Sequence, residues 1–402
     1  ALQHIRKAAK ALSHELLGVL NMNRDRFDPD VVQAFEGGIA ELAALRRSGA
    51  EDDLVAALDA GRAILARHTP PCRSPGMREL VETADVFVEN YRPGALGKLG
   101  LGYAELSRLN PRLIYCSVSA YGHTGPDAAR PGFGLIAEAK SGALAMLGEP
   151  GRAPPLLRMP LADMYAGMHG VSAVCAALYG RVASGRGQHI DLALYDCMVS
   201  MHDYAVQRYF MSGGTDIPRQ TGSHAPDSPI YGVFAASDGN LVVAAQVDDA
   251  WERLAALIGG AALDPRFRTP DGRAAHFEAA TKLVADWAMA QPSTAACLAA
   301  LDAAGVPSAR VQTIDQVLAD PQIAARGMVV EQDHPVLGKV RLPNLPFRFS
   351  ESDTTPKSPA PLLGQHNADV ARRLGRSEAE IAAMQADGVL YAEPAGAAAR
   401  AA

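Results

Sequence analysis

The sequence predicts an α/β fold, and three observations predict it. Short apolar runs rich in β-formers at residues 84–88, 113–119 and 190–194 alternate with helical stretches, the pattern of a mostly parallel sheet covered by helices. Two further runs, 230–235 and 241–245, flank Ser237-Asp238-Gly239-Asn240 and read as a β-hairpin. Helical segments over 251–258, 274–289 and 294–303 follow that hairpin. The expectation is a Rossmann-like large domain with a mostly parallel sheet plus a smaller α+β domain, the chain returning to the large domain at its end.

Taken in order, residues 1–74 form a helical, alanine-rich N-terminal segment, with helix expected over 4–20 and 31–66 and no clear strand. Pro70-Pro71 and Ser74-Pro75 break it. The large domain is expected over 75–224, closing on a polar Gly/Pro/Ser stretch at 212–227 that reads as a loop. The small domain takes residues 225–325. Strand-like 328–331 and 339–342 then lead the return over 326–392. Residues 393–402 are dominated by Ala and have the composition of a disordered tail.

The 402 residues are enough for two cores. A net charge of −6 argues against a general nucleic-acid binder, which needs a basic excess to neutralise phosphates. No run of 18 or more apolar residues suggests a membrane span, and the N-terminal stretch lacks a secretory pattern, so a cytoplasmic setting is the expectation. The five cysteines are odd in number and form no C-x-x-C pair. Three of them sit in apolar surroundings and read as small core residues. No H-E-x-x-H or comparable spacing occurs among the histidines, so no metal is expected.

The most informative segment is Arg158-Met-Pro-Leu-Ala-Asp163-Met-Tyr-Ala-Gly-Met-His-Gly170. Pro160 fits the approach to a helix start, where its missing N–H costs nothing. Asp163 then lies in or just before the first turn, where the helix dipole favours negative charge. Such a carboxylate suits a nucleophile that attacks as an anion, although an Asp at a helix start is more often only an N-cap. Met164, Met168, Val171, Cys175 and Leu178 recur at helical spacing behind it, while Ala166, Gly167 and Gly170 keep one face slim. Tyr121-Gly-His-Thr-Gly-Pro126 reads as a turn after a strand, with His123 either lining a pocket or solvated. Ser184-Gly-Arg-Gly-Gln188 lacks the spacing of a phosphate loop and reads as a tight turn.

Over residues 83–200, and more weakly to about 390, the chain resembles family III CoA-transferases, the formyl-CoA and carnitinyl-CoA transferase type. The resemblance rests on Ala84-Asp-Val-Phe-Val-Glu-Asn-Tyr-Arg-Pro-Gly94, Arg130-Pro-Gly-Phe133, Leu161-Ala-Asp163, Ser184-Gly-Arg-Gly-Gln-His-Ile-Asp191, Asp333-His-Pro-Val-Leu-Gly338 and Pro361-Leu-Leu-Gly-Gln-His366, in that order. It implies that Asp163 is a covalent nucleophile attacking an acyl-CoA thioester, and that 75–224 is a CoA-binding domain. It also implies that Asn90, Tyr91 and Arg92 lie against CoA, with Lys98, Leu99 and Phe133 close by. CoA and acyl-CoA are then substrates, with no permanently bound cofactor, and a small carboxylic acid is the acceptor. An interlocked homodimer is implied as well.

Two positions test the resemblance. The related α-methylacyl-CoA racemases pair the equivalent aspartate with a histidine, and in the resemblance Phe133 stands at that histidine's position. A phenyl ring carries no proton, so transfer is favoured over racemisation. Many transferases of the family carry Asp or Glu where Gly134 stands here, and Glu138 is a candidate substitute. Residues 1–74 also lack the family's opening strand–turn–helix unit. The alternatives are therefore a racemase or epimerase, or a catalytically weakened CoA-binding protein.

Overall fold

A computed structural model of the chain describes residues 29–48, 51–68 and 75–392, with isolated positions between 5 and 13. The expected break at 70–71, most of the helix expected over 4–20, and the tail at 393–402 lie outside the described residues. The chain divides into two compact units. One comprises the described residues up to Pro131 together with His169–Leu192, and the other Gly132–Met168 together with the described residues from Ala193 onward.

In the first unit, helices span Pro29–Ser48 and Glu51–His68, where the sequence reading ran one helix through 31–66. Phe35 and Leu42 on one, and Leu54, Ala57 and Leu58 on the other, recur at helical spacing and bury against one another. The sheet has the order β1 (Val86–Glu89), β2 (Ile114–Ser119), β3 (His189–Ala193). β1 and β2 run parallel, in register from Val86 opposite Ile114 to Glu89 opposite Ser117. β2, the middle strand, is buried on both faces, which accounts for its apolar run. Tyr115 stacks on Phe87 at 5.0 Å and donates its hydroxyl to the Leu101 carbonyl at 2.9 Å.

The expected turn at Ser184–Gln188 is present and places β3 beside β2. Gly185 closes the preceding helix with a left-handed φ of 68°. Gly187 donates its amide to Pro111 at 2.9 Å, and a Cβ there would come within 1.9 Å of the Leu113 carbonyl oxygen. Across the same strands Ser117 Oγ and His189 Nε2 lie 2.9 Å apart. Burial lowers the His189 pKa below its ordinary 6.5, with His123 adding to the shift and Asp191 and Glu89 opposing it.

The second unit holds the expected hairpin as β4 (Tyr231–Ala236) and β5 (Gly239–Ala244), turning on Ser237-Asp238. The sequence reading missed β6 (Ser308–Arg310), which pairs antiparallel with β5. Three residues after a proline give no period to detect. Asp238 accepts the Thr294 amide at 2.6 Å, joining the hairpin turn to the start of the Thr294–Ala303 helix. Trp251, Phe267, Val284 and Leu301 form the core. The guanidinium of the fully buried Arg273 donates to the carbonyls of Phe267, Arg268 and Gln246, and lies over the Trp251 ring. Arg208, on the helix Asp203–Met211, pairs with Asp216 and Asp227 and so pins both parts of the expected loop. Strands β7 (Val329–His334) and β8 (Gly338–Pro343) form a hairpin where strands were expected.

Replacing Gly187 by Ala forces a backbone shift at the edge of β2 and is expected to cost about 2 kcal/mol or more, read from urea unfolding. The depressed His189 pKa sets a second expectation. The unfolded chain takes up the proton at higher pH than the folded one, so stability falls as pH drops below 6.5 and levels off below the lowered folded value. Unfolding free energies at about pH 7.5 and about pH 5.5 should diverge less in His189→Gln than in the wild type.

Candidate active site

The helix carrying Asp163 spans Leu161–Ser184. Its approach is tight, with Arg158 in the left-handed region at φ 56°, a conformation a branched-free but bulky side chain rarely adopts. The Met164 amide donates to the Pro160 carbonyl at 2.9 Å, closing the first turn. Asp163 is therefore inside that turn, the third helical residue, rather than at the cap position, and its side chain is exposed.

Two residues of the short helix Gly134–Lys140 meet this turn. The Asp163 carboxylate lies directly over the Cα of Gly134, so that a Cβ there would sit 2.1 Å from Oδ2 and 2.9 Å from Cγ. Glu138, one turn further along, is 3% exposed, and its Oε1 accepts the Ala162 amide at 3.2 Å. Glu138 thus acts on the backbone of the first turn, a role sequence reasoning did not give it. Phe133, at the cap of the same short helix, is 79% exposed.

Beyond Asp163 the helix presents apolar side chains outward. Met164, Met168 and Val171 are each more than 60% exposed, and Tyr179 and Val182 are 84% exposed. By length and composition this helix could cross a membrane, and 17% of its apolar window is buried. The regular spacing read from the sequence is real, but within this chain it faces no core. Cys175 on this helix is exposed, while Cys116, Cys197 and Cys297 are buried free thiols.

Apart from Phe133, the expected CoA-contacting residues gather in the other unit, just past the C-terminal end of β1. Asn90 donates its amide nitrogen to the Val118 carbonyl at 2.7 Å, tying the segment to β2. Tyr91 and Arg92 follow it and are exposed, and Lys98 and Leu99 lie exposed on the turn Gly97–Leu99. Arg92 lines a cavity of about 150 Å³ together with Glu89, Tyr103, Tyr115, His123 and His189. Glu89 is 7% exposed and its Oε2 accepts the Tyr91 amide at 2.7 Å. His123 Nε2 stands 3.9 Å from the other Glu89 oxygen, and the His123 amide donates to the Asp191 carboxylate at 3.0 Å. His123 therefore lines a pocket, one of its two sequence readings. Burial, with Glu89 nearby, pushes the Tyr115 phenol upward and keeps it protonated. Glu89 and His189 were quoted within motifs but not singled out. The available signal was a carboxylate ending an apolar strand at the edge where ligand sites form. Among the described residues no group of three or more His, Cys, Asp or Glu could hold a metal ion.

Comparison with known proteins gives the family of the chain. Residues 73–367 match the family described as CoA-transferase family III. The chain is 34% identical over 318 residues to the succinate–glutarate CoA-transferase of Agrobacterium fabrum, covering 78% of each chain. It is equally 34% identical, with 78% of each chain covered, to the succinyl-CoA–D-citramalate CoA-transferase of Chloroflexus aurantiacus. Among solved structures, a CaiB/BaiF family protein from Brucella suis superposes with a TM-score of 0.66 at 36% identity, covering 74% of this chain and 78% of that one. The mixed α/β fold is that of these neighbours, and with a family match over most of its length the chain belongs to CoA-transferase family III and is a CoA-transferase.

Proposed function

We propose that the chain moves CoA from an acyl-CoA to a free dicarboxylic acid through covalent intermediates on Asp163. The observation that carries this reading is a solvent-facing carboxylate in the first turn of the Leu161–Ser184 helix, inside the matched family span. One Asp163 oxygen attacks the thioester carbonyl and expels CoA thiolate, leaving an acyl-aspartyl anhydride. The thiolate then attacks the Asp163 carbonyl, releases the donor acid and leaves an aspartyl-CoA thioester. The acceptor carboxylate attacks that carbonyl and again expels thiolate, forming a second anhydride. Attack of the thiolate on the acceptor's acyl carbon gives the new acyl-CoA and returns the Asp163 carboxylate. Each step exchanges one acyl bond for another, and no net proton is consumed.

The substrate class is supported by the relatives, whose names pair succinate or succinyl-CoA with glutarate, D-citramalate or mesaconate. Arg92 and Lys98, both exposed near the end of β1, are the cations suited to CoA phosphates. Phe133, seated next to Gly134, offers no second base, which argues against racemisation. The working protein is read as a homodimer in which a second copy covers the exposed apolar side chains of the Asp163 helix, a patch too apolar to stay wet.

Asp163→Ala is expected to lower transfer from succinyl-CoA to glutarate by about 10³-fold or more. Incubation of the wild type with succinyl-CoA and hydroxylamine should leave a hydroxamate at Asp163 in the mass spectrum, and full activity in the alanine variant would sink the reading. Light scattering after size exclusion should give twice the chain mass for the wild type and the chain mass for Tyr179→Glu combined with Val182→Glu. Flotation of the wild type with lipid vesicles would instead assign that apolar face to a membrane.

A further inference from the structure

We infer that the Gly134–Lys140 helix is the positioning element of the nucleophile, Gly134 by the space it leaves and Glu138 by the bond it makes. This rests on the covalent role of Asp163 argued above. The two residues are four apart and so share one face of the helix. Both act on the first turn of the Leu161–Ser184 helix, one on the Asp163 carboxylate and one on the backbone amide immediately before it.

The backbone does not require glycine at 134, because its φ is not among the positive values of the chain. What requires it is room. The three atoms nearest a Cβ at 134 are Oδ2, Cγ and Oδ1 of Asp163, at 2.1, 2.9 and 3.3 Å. Any side chain there takes the volume the carboxylate now fills. The obstacle is the end of a short, rotatable side chain, so the protein keeps its fold and the nucleophile moves.

Glu138 supplies the other half. The first amides of a helix have no intrahelical acceptor, and an acidic residue in the first turn is the usual one to answer them. Here the buried Glu138 carboxylate accepts the Ala162 amide. That leaves the Asp163 carboxylate free of capping and turned to solvent, with its backbone held from a separate helix. Glu138 touches no reacting atom and is a positioning residue.

The test uses the full chain with succinyl-CoA and glutarate, measuring kcat, KM, melting temperature and hydroxamate yield at Asp163. Gly134→Ala should lower kcat about 100-fold, as displacement of a reacting group by an ångström does, with KM for succinyl-CoA and the melting temperature little changed. Glu138→Leu, which removes the acceptor, should lower kcat and hydroxamate yield by about 10-fold or more, and Glu138→Gln, which keeps an acceptor oxygen, should restore most of both. Wild-type kcat and hydroxamate yield in Gly134→Ala would overturn the positioning role while leaving the covalent mechanism intact. A wild type that transfers CoA yet forms no hydroxamate would overturn the covalent mechanism and this inference with it. Gly134→Ala meets no backbone atom among its three nearest neighbours, so the test stands even if Glu138→Leu fails to fold.

Discussion

On the covalent role proposed for Asp163, the helix that carries it is under two demands at once. Its first amides need acceptors, and the carboxylate best placed to serve them is the one that must stay available for attack. The chain meets the conflict by dividing the work between two acids on different helices. Glu138 gives up solvent and settles against the Ala162 amide, while Asp163 keeps water contact and lies on the bare Cα of Gly134. Much of the local sequence follows from that division. Pro160 starts the helix without an orphan donor, and Arg158 takes up the backbone bend that delivers the chain to it.

The rest of the same helix carries the exposed apolar face on which the proposed homodimer rests. An apolar face of Met164, Met168 and Val171 is a poor surface in water and a good one against a close-packed neighbour. The first unit, by contrast, invests its polar groups in holding the segment after β1. Asn90 binds across to β2, Glu89 holds the Tyr91 amide, and the Ser117–His189 pair spans the neighbouring strands. A loop fixed in this way would lose little freedom on taking the CoA that the proposal assigns to it.

Much of this was legible in the sequence, for physical reasons that also mark where legibility ends. Strands β1 to β5 came from apolar runs that bury at least part of their length, a signal that survives in one dimension, whereas the β7–β8 hairpin was read from strand-like residues that have no buried position. β6 was missed, because three residues cannot show a period. The split between the Pro29–Ser48 and Glu51–His68 helices was missed because both halves are alanine-rich and no proline separates them. Asp163 was found from its place before a helical pattern and from the surrounding motifs. Gly134 could be seen only as a missing carboxylate, since the group that fills its space arrives from a distant part of the chain. Glu138 was noticed for its charge, whereas its work is a hydrogen bond to a backbone amide, a partner that carries no residue signature.

The path of the chain through its two units bears on how the protein is made. The first unit is assembled from two stretches, with Gly132–Met168 belonging to the other unit between them. β2 is the middle strand, yet its second neighbour, β3, comes only after the Asp163 helix. On a chain made from its N-terminus, β1 and β2 are both complete well before His189 is synthesised, and β2 lacks its second neighbour for that interval. The order of synthesis, not only the finished packing, thus sets how long that edge of β2 waits for residues 169–192.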